Sequence, residues 1–427
     1  MKVDLLVKNA ANLVTCSWRS DKPKVQEQME NVGLVENGAV AVSGGKILAV
    51  GKTKEIESSV EITLGTEVID ASGKTVLPGL VDPHTHLVFG GSRENELELK
   101  LKGMSYLDIL EQGGGILNTV RATRMASEEG LVNLGLKYAD QMLFQGTTTA
   151  EAKSGYGLST EDEIKQLRAI REINERHAIE LVPTFLGAHA IPEEYKGMEE
   201  DFVNLVINEM LPQVKKMGLA EFCDVFCEKG VFSVSQSERI LRAAKEMGFK
   251  LKIHADEIST LGCTELAAEL GAHTADHLLV TSGCAIGKMA RNQVIAVLLP
   301  GTAFNLGGKT YAPAREMIKA GVPVALATDF NPGSCPTNNL QVIMTIACIY
   351  LKMTPSEVIN AVTINAAHAV GHADRVGSLD VGKQADIVIF DAPNYTYLPY
   401  RFGTNLVEVV IKKGKIVRGR GCYDKNN

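Results

Sequence analysis

Short alternating runs mark both ends of the chain, and a different rhythm fills its middle. Near the N-terminus, GAVAVSGGKILAVG places two β-rich runs on either side of Ser43-Gly44-Gly45, the pattern of a hairpin. Near the C-terminus, KQADIVIFDA reads as a strand, and VEVVIKKGKIVRG as a second hairpin turning at Lys413-Gly414. Neither piece has enough sheet to bury a face alone, so the two ends are expected to pair with each other. The expected unit is a small discontinuous β-sandwich domain from residues 1–75 and 375–427.

From about Val76 to Gly371, short β-rich runs alternate with amphipathic stretches of helical period. The runs are TVLPGLVDPHTH, TTTAEAKSG, IELVPTFLGAH, FCDVFCE, LKIHADE, TADHLL, VIAVLLP and VPVALATDF. Between them lie helix signals. Thr160 to Glu163 and Ser235 to Glu238 have capping-box spacing, and Thr354, Pro355 and Glu357 supply an N-cap, an N1 proline and an N3 acid. One helix sets Leu131, Leu134, Tyr138 and Met142 on a single face and stops near Gly146. Eight strand–helix repeats predict an α/β fold, a (β/α)8 TIM-like barrel over residues 76–374. The rival, a doubly wound open sheet, would gather its chemistry at one switch point, whereas the reactive residues here lie at the ends of many strands. No G-x-G-x-x-G or P-loop is present, and Gly113-Gly114-Gly115 reads as a turn, so nucleotide binding has no support.

Composition narrows the function. Of 427 residues, 45% are hydrophobic and 22% charged, which fits a folded globular chain and not a disordered one. A net charge of -7 with no basic block argues against nucleic-acid and membrane-surface partners. The apolar run at the N-terminus is broken by Asp4 and Lys8, and no apolar stretch is long enough to cross a membrane, so a cytoplasmic setting is expected. Eight scattered cysteines without a C-x-x-C pair are expected to be buried thiols in a reducing compartment, not a disulfide framework.

Candidate chemistry begins at DPHTH, where the first barrel run ends. Residues two apart on a strand face the same way, so His84 and His86 aim together into the barrel mouth. His254 ends the fifth run and Asp329 the eighth. Three imidazoles and one carboxylate suit one divalent metal ion, zinc or iron, and coordination gives a reason for a charge among apolar strand residues.

With His277 added from the sixth run, this pattern resembles the amidohydrolase superfamily. Within it, DPHTHLVFGGSRENELELKLKG, GGGILNTVRATR, EAKSGYGL, FLGAHAIP, IHADE and TDFNPGSCP resemble the imidazolonepropionases over nearly the whole chain. The resemblance implies a hydrolase of histidine degradation. A metal-activated water would open the ring C–N bond of 4-imidazolone-5-propanoate to give N-formimidoyl-L-glutamate. It implies His84, His86, His254 and Asp329 as metal ligands and Glu257, His277 and Asp329 as catalytic groups, with the first proton acceptor among these three left open. Arg93, Tyr156, His189, Glu257, Asn331, Gly333 and Ser334 would contact the small anionic substrate, Arg93 through its propanoate. A homodimer is also implied. Superfamily members with two metals often carry a carboxylated lysine at the end of the fourth strand. Glu228 stands there, so a mononuclear site is expected, with Lys153 the nearby substitute.

Other histidines read as structural. His177 ends a charged helix, His368 and His372 lie in NAAHAVGH, and His277 is preferred over His273 because it is nearer the catalytic end of its strand. Rival functions keep the fold, as in a deaminase of a neutral nucleobase, or lose the chemistry, as in an assembly protein with an eroded metal set. The segment from Gly90 to Arg124 is a candidate lid.

Overall fold

A computed structural model describes residues 2–18, 20–104 and 114–419. Five strands open the chain: β1 (Leu5–Val14), β2 (Leu34–Ser43), β3 (Lys46–Lys52), β4 (Glu67–Asp70) and β5 (Thr75–Pro78). Then come β6 (Leu80–Asp82), β7 (Thr147–Lys153), β8 (Glu180–Ala188), β9 (Phe222–Cys227), β10 (Lys250–Leu251), β11 (His254–Ala255), β12 (Thr274–His277), β13 (Ile295–Leu298) and β14 (Val324–Leu326). The last three are β15 (Ile387–Phe390), β16 (Val407–Lys412) and β17 (Lys415–Arg418).

The two chain ends share one mixed sheet in the order β17-β16-β15-β5-β1-β2-β3, with β4 beside β1. β5 joins them, running parallel to β1 and antiparallel to β15. Both expected hairpins form. Gly44 and Gly45, and likewise Lys413 and Gly414, have positive φ, the backbone hand that matches the twist of the flanking strands. Alternation then divides the sheet's packing. Ile387 and Ile389 of β15 bury with Leu5, Val40 and Val76 in the sheet's own core, whereas Val388 and Phe390 pack into the large core of the barrel.

Only Gly79 separates β5 from β6. A Cβ there would fall 2.1 Å from Thr148 Oγ1, so glycine is what lets the small sheet lie this close to the barrel. The barrel strands run parallel in the order β6-β7-β8-β9-β11-β12-β13-β14, and each of the eight runs read from the sequence supplies one position. The fifth position is split into β10 and β11, both beside β9. The seam is closed by the residues that follow β6 and β14. Asp329 N–H donates to His84 O at 3.0 Å and His86 N–H to Phe330 O at 2.9 Å.

Helix starts differ from expectation by one or two residues. Ser159 caps Thr160–Arg176, and Ser233 with Gln236 forms the box of Val234–Glu246, because in each case the serine lies outside the first turn with extended backbone. Thr354 and Glu357 form the expected box. In Glu128–Phe144 the buried stripe runs through Leu131, Gly135, Ala139 and Met142, with Leu134 and Tyr138 half-buried at its edge. Gly115 caps Ile116–Met125, while Gly113 and residues 105–113 of the candidate lid lie outside the described residues.

The cysteine reading is corrected. Cys227, at the end of β9, is disulfide-bonded to Cys263, 36 residues away at the start of helix Cys263–Leu270. The tertiary approach of two strand–helix units brings them together, and sequence spacing carries no sign of it. Cys16, Cys223 and Cys335 are buried free thiols as expected. No helix among the described residues is long and apolar enough to cross a membrane.

Candidate active site

The four residues proposed as ligands converge at the ends of the barrel strands. Asp329 Oδ1 lies 3.4 Å from His84 Nε2 and 3.5 Å from His86 Nε2, across the barrel seam. The ring of His254 lies 4.6 Å from that of His84 and 5.8 Å from that of His86, centroid to centroid. His277 adjoins them, with its ring 5.1 Å from His254. Donor atoms of His84, His254 and His277 fall within 4.8 Å of one another, as do those of His84, His86 and Asp329. His273 instead meets His368 O at 2.7 Å through Nε2.

Backbone geometry helps to gather these groups. Neighbours on a strand face opposite sides, yet Asp276 and His277 both reach the site region. His277 has φ 76° and Leu278 φ 62°, so the strand ends at His277. Asp329, φ 57°, and Asp256, φ 47°, are strained in the same way at the ends of their strands. Such conformations persist only where the surroundings enforce them.

The site is a cluster of buried nitrogens in need of a partner. His84 Nε2, His86 Nδ1, both ring nitrogens of His254, and His277 Nδ1 are buried without a hydrogen bond. Each would cost about 1–3 kcal/mol if left so, and a cation among these rings would remove that cost for one nitrogen of each ring it binds. Burial holds His84, His86 and His277 well below the ordinary imidazole range, so these rings are neutral and can act as ligands. Burial also pushes the Asp329 carboxyl up to about 6, against a 2.6 Å hydrogen bond from Thr302 Oγ1 to Oδ2. The Glu257 carboxyl is pushed up to about 8, first by burial and then by the charge of Asp329. Its Oε1 sits 3.6 Å from His277 Nδ1.

The remaining predicted contacts line the same rim. His189 stacks on His86 at 4.9 Å between centroids and pairs through Nδ1 with Gly155 O at 2.9 Å. The Tyr156 ring lies 5.6 Å from His86. Asn331 Nδ2 donates to Asp329 O at 2.7 Å, and its Oδ1 accepts from the N–H groups of Gly333 and Ser334, both at 2.8 Å. Ser334 Oγ is 3.4 Å from Asp329 Oδ2. Arg93 reaches this eighth-strand loop from the first. A Cβ on Gly333 would fall 2.0 Å from Arg93 Nη1, so the guanidinium lies directly against this glycine and would have to shift for any larger residue. Glu96 holds the other edge of that group, with Arg93 Nε to Oε1 at 3.0 Å and Nη2 to Oε2 at 2.8 Å.

The amidohydrolase family profile matches residues 75–417. The chain is 59% identical over 421 residues to the imidazolonepropionase of Alkaliphilus metalliredigens (strain QYMF), covering 99% of each chain. It is 56% identical over 421 residues to that of Alkaliphilus oremlandii (strain OhILAs), again over 99% of each. The chain belongs to the imidazolonepropionase family of amidohydrolases. A zinc-bound adenosine deaminase from Xanthomonas campestris shares the fold, with TM-score 0.70 at 21% identity over 98% of this chain and 93% of that one.

Within this family member, Glu228, at the position of the superfamily lysine, and Lys153, the substitute considered for a carbamate, are both engaged elsewhere. Glu228 accepts from the backbone N–H groups of Ile258 at 3.0 Å and Ser259 at 3.1 Å, which braces the loop carrying Glu257. Lys153 is fully buried, 2.7 Å from Asp224 and 2.9 Å from Glu151, and these carboxylates outweigh burial to hold its pKa above the ordinary value. Asp224, Asp276, Glu151 and Lys252 were missed as site residues. Part of their signal was present: Glu151, Asp224 and Asp276 are charges inside mostly buried strands, and Lys252 is a buried lysine between β10 and β11.

Proposed function

We propose that the chain hydrolyses the ring C–N bond of 4-imidazolone-5-propanoate to N-formimidoyl-L-glutamate, with His84, His86, His254 and Asp329 holding one divalent ion, zinc or iron. Likeness to imidazolonepropionases over 99% of the chain supports the reaction. The convergence of three imidazoles and one carboxylate across the barrel seam supports the roles. A divalent ion bound there would polarise a carbonyl and bring the ionisation of a water into the neutral range.

The chain's own groups complete the chemistry. Asp329, with Oδ2 held by Thr302, accepts a proton from the attacking water as the new C–O bond forms at the ring carbonyl carbon. His277 hydrogen-bonds the carbonyl oxygen as charge builds on it. Glu257, protonated at neutral pH, gives its proton to the ring nitrogen as the C–N bond breaks. The proton taken by Asp329 balances the one delivered. Arg93 holds the propanoate, while Tyr156, His189, Asn331, Gly333 and Ser334 line the ring site. The protein works as a homodimer in this reading.

Freshly generated 4-imidazolone-5-propanoate is expected to lose its ultraviolet absorbance on adding the protein. A chelator should stop the loss, and zinc or iron should restore it. A full rate in metal-stripped protein would count against the reading. Because Glu257 must carry a proton, kcat/KM is expected to fall as pH rises through about 8. In Glu257→Gln that alkaline limb should vanish, with the plateau lowered about 10²- to 10⁴-fold. An unchanged limb in this variant assigns the proton to another group.

A further inference from the structure

Beneath the proposed ligands lies a cluster of five charged side chains, each with no solvent exposure. Lys153 Nζ is 2.7 Å from Asp224 Oδ2, 2.9 Å from Glu151 Oε2 and 3.7 Å from Asp276 Oδ2. Lys252 Nζ is 2.9 Å from Glu151 Oε1 and donates to Pro83 O, next to His84, at 3.3 Å. Two carboxylates of the cluster then reach upward. Asp276 Oδ2 is 2.6 Å from His84 Nδ1, and Asp224 Oδ2 is 3.0 Å from His254 Nδ1, although that contact is out of line for a hydrogen bond.

Such a cluster is a poor way to stabilise a barrel. Taking charges out of water costs about as much as their mutual attraction returns, and apolar side chains of similar volume would serve stability as well or better. Its placement supplies another reason. An imidazole whose Nδ1–H is donated to a carboxylate presents the Nε2 lone pair in one direction, as His84 does. We propose that this cluster, built on Lys153 and Lys252, is a positioning device for the cation site: Lys153 fixes Asp276 and Asp224, Lys252 holds Glu151 beside it, and the two aspartates set the rings, Asp276 by its hydrogen bond to His84 and Asp224 by its close charge beside His254. Lys153, Lys252, Glu151, Asp224 and Asp276 are positioning residues, since they act through the ligands. The device rests on the cation site proposed above, and it recasts Lys153 from a source of ligand atoms to a support for them.

The test measures metal binding on the purified full-length chain. Zinc affinity is read by competition with a chromophoric chelator, and the visible spectrum of the cobalt(II) form reports ligand geometry, for the wild type and for Lys153→Met, Asp276→Asn and Asp224→Asn. The variants are expected to bind zinc about 10- to 100-fold more weakly and to show altered cobalt bands, with wild-type circular dichroism. The asparagine variants keep the side-chain volume and carry the test where Lys153→Met does not fold. If the wild type binds neither zinc, cobalt(II) nor iron(II), the site reading itself fails. If the wild type binds zinc and the folded variants match its affinity and spectrum, the positioning role alone is overturned.

Discussion

Asp329→Ala is expected to lower kcat/KM by about four orders of magnitude, the largest effect of any single change considered. Two losses combine. Asp329 faces His84 and His86 across the seam at 3.4 and 3.5 Å, so its removal takes a donor from the cation site. In the proposed reaction it also removes the acceptor for the water proton. Asp329→Asn separates the two, because the amide keeps an oxygen of similar size but cannot take up a proton. Metal analysis with steady-state kinetics decides between them. The alanine variant should lose both metal and rate, whereas the asparagine variant should keep most of the metal and still lose the rate. An asparagine variant with wild-type kcat would remove Asp329 from proton transfer and leave His277 or Glu257 as the base.

The second large effect is at Arg93. Its guanidinium is nearly buried between Glu96 and Gly333, where a charge-assisted pair to a substrate carboxylate meets little competing water. Arg93→Ala is expected to cost about 3 kcal/mol, roughly a 150-fold loss of kcat/KM on the propanoate substrate. The loss should largely disappear when wild type and variant are compared on the corresponding propanamide, which has no charge to clamp. Equal rates for wild type and variant on the propanoate substrate would take the carboxylate clamp away from Arg93.

Much of the barrel was legible because its signals are local. β-rich runs alternating with helical periods mark strand–helix repeats, and the glycine-bearing hairpins of the small sheet announce themselves in sequence. The ligand candidates were legible for the same reason, being histidines and an acid at strand ends. What escaped depends on distant approach. The caps at Ser159 and Ser233 compete with nearby serines and threonines of equal propensity, and only the backbone decides among them. The bond between Cys227 and Cys263 forms because two barrel units pack side by side. The charge of Asp276 was visible but not its partner: simple alternation turns it away from His277, and the left-handed φ of His277 is invisible in the letters. The charges under the site were visible as oddities in apolar strands, but their partners lie on other strands.

The seam of the barrel carries a final consequence. Strands one and eight are sewn together by the backbones of His84, His86, Asp329 and Phe330, and three of these residues also bring their side chains together at the proposed cation site. Whatever grips those side chains therefore buckles the hoop shut, drawing together the first and last turns of a structure that other hydrogen bonds close elsewhere. Because an ion that prefers the folded chain adds to its stability by mass action, an ion at the proposed site would give catalytic readiness and mechanical integrity one fastening.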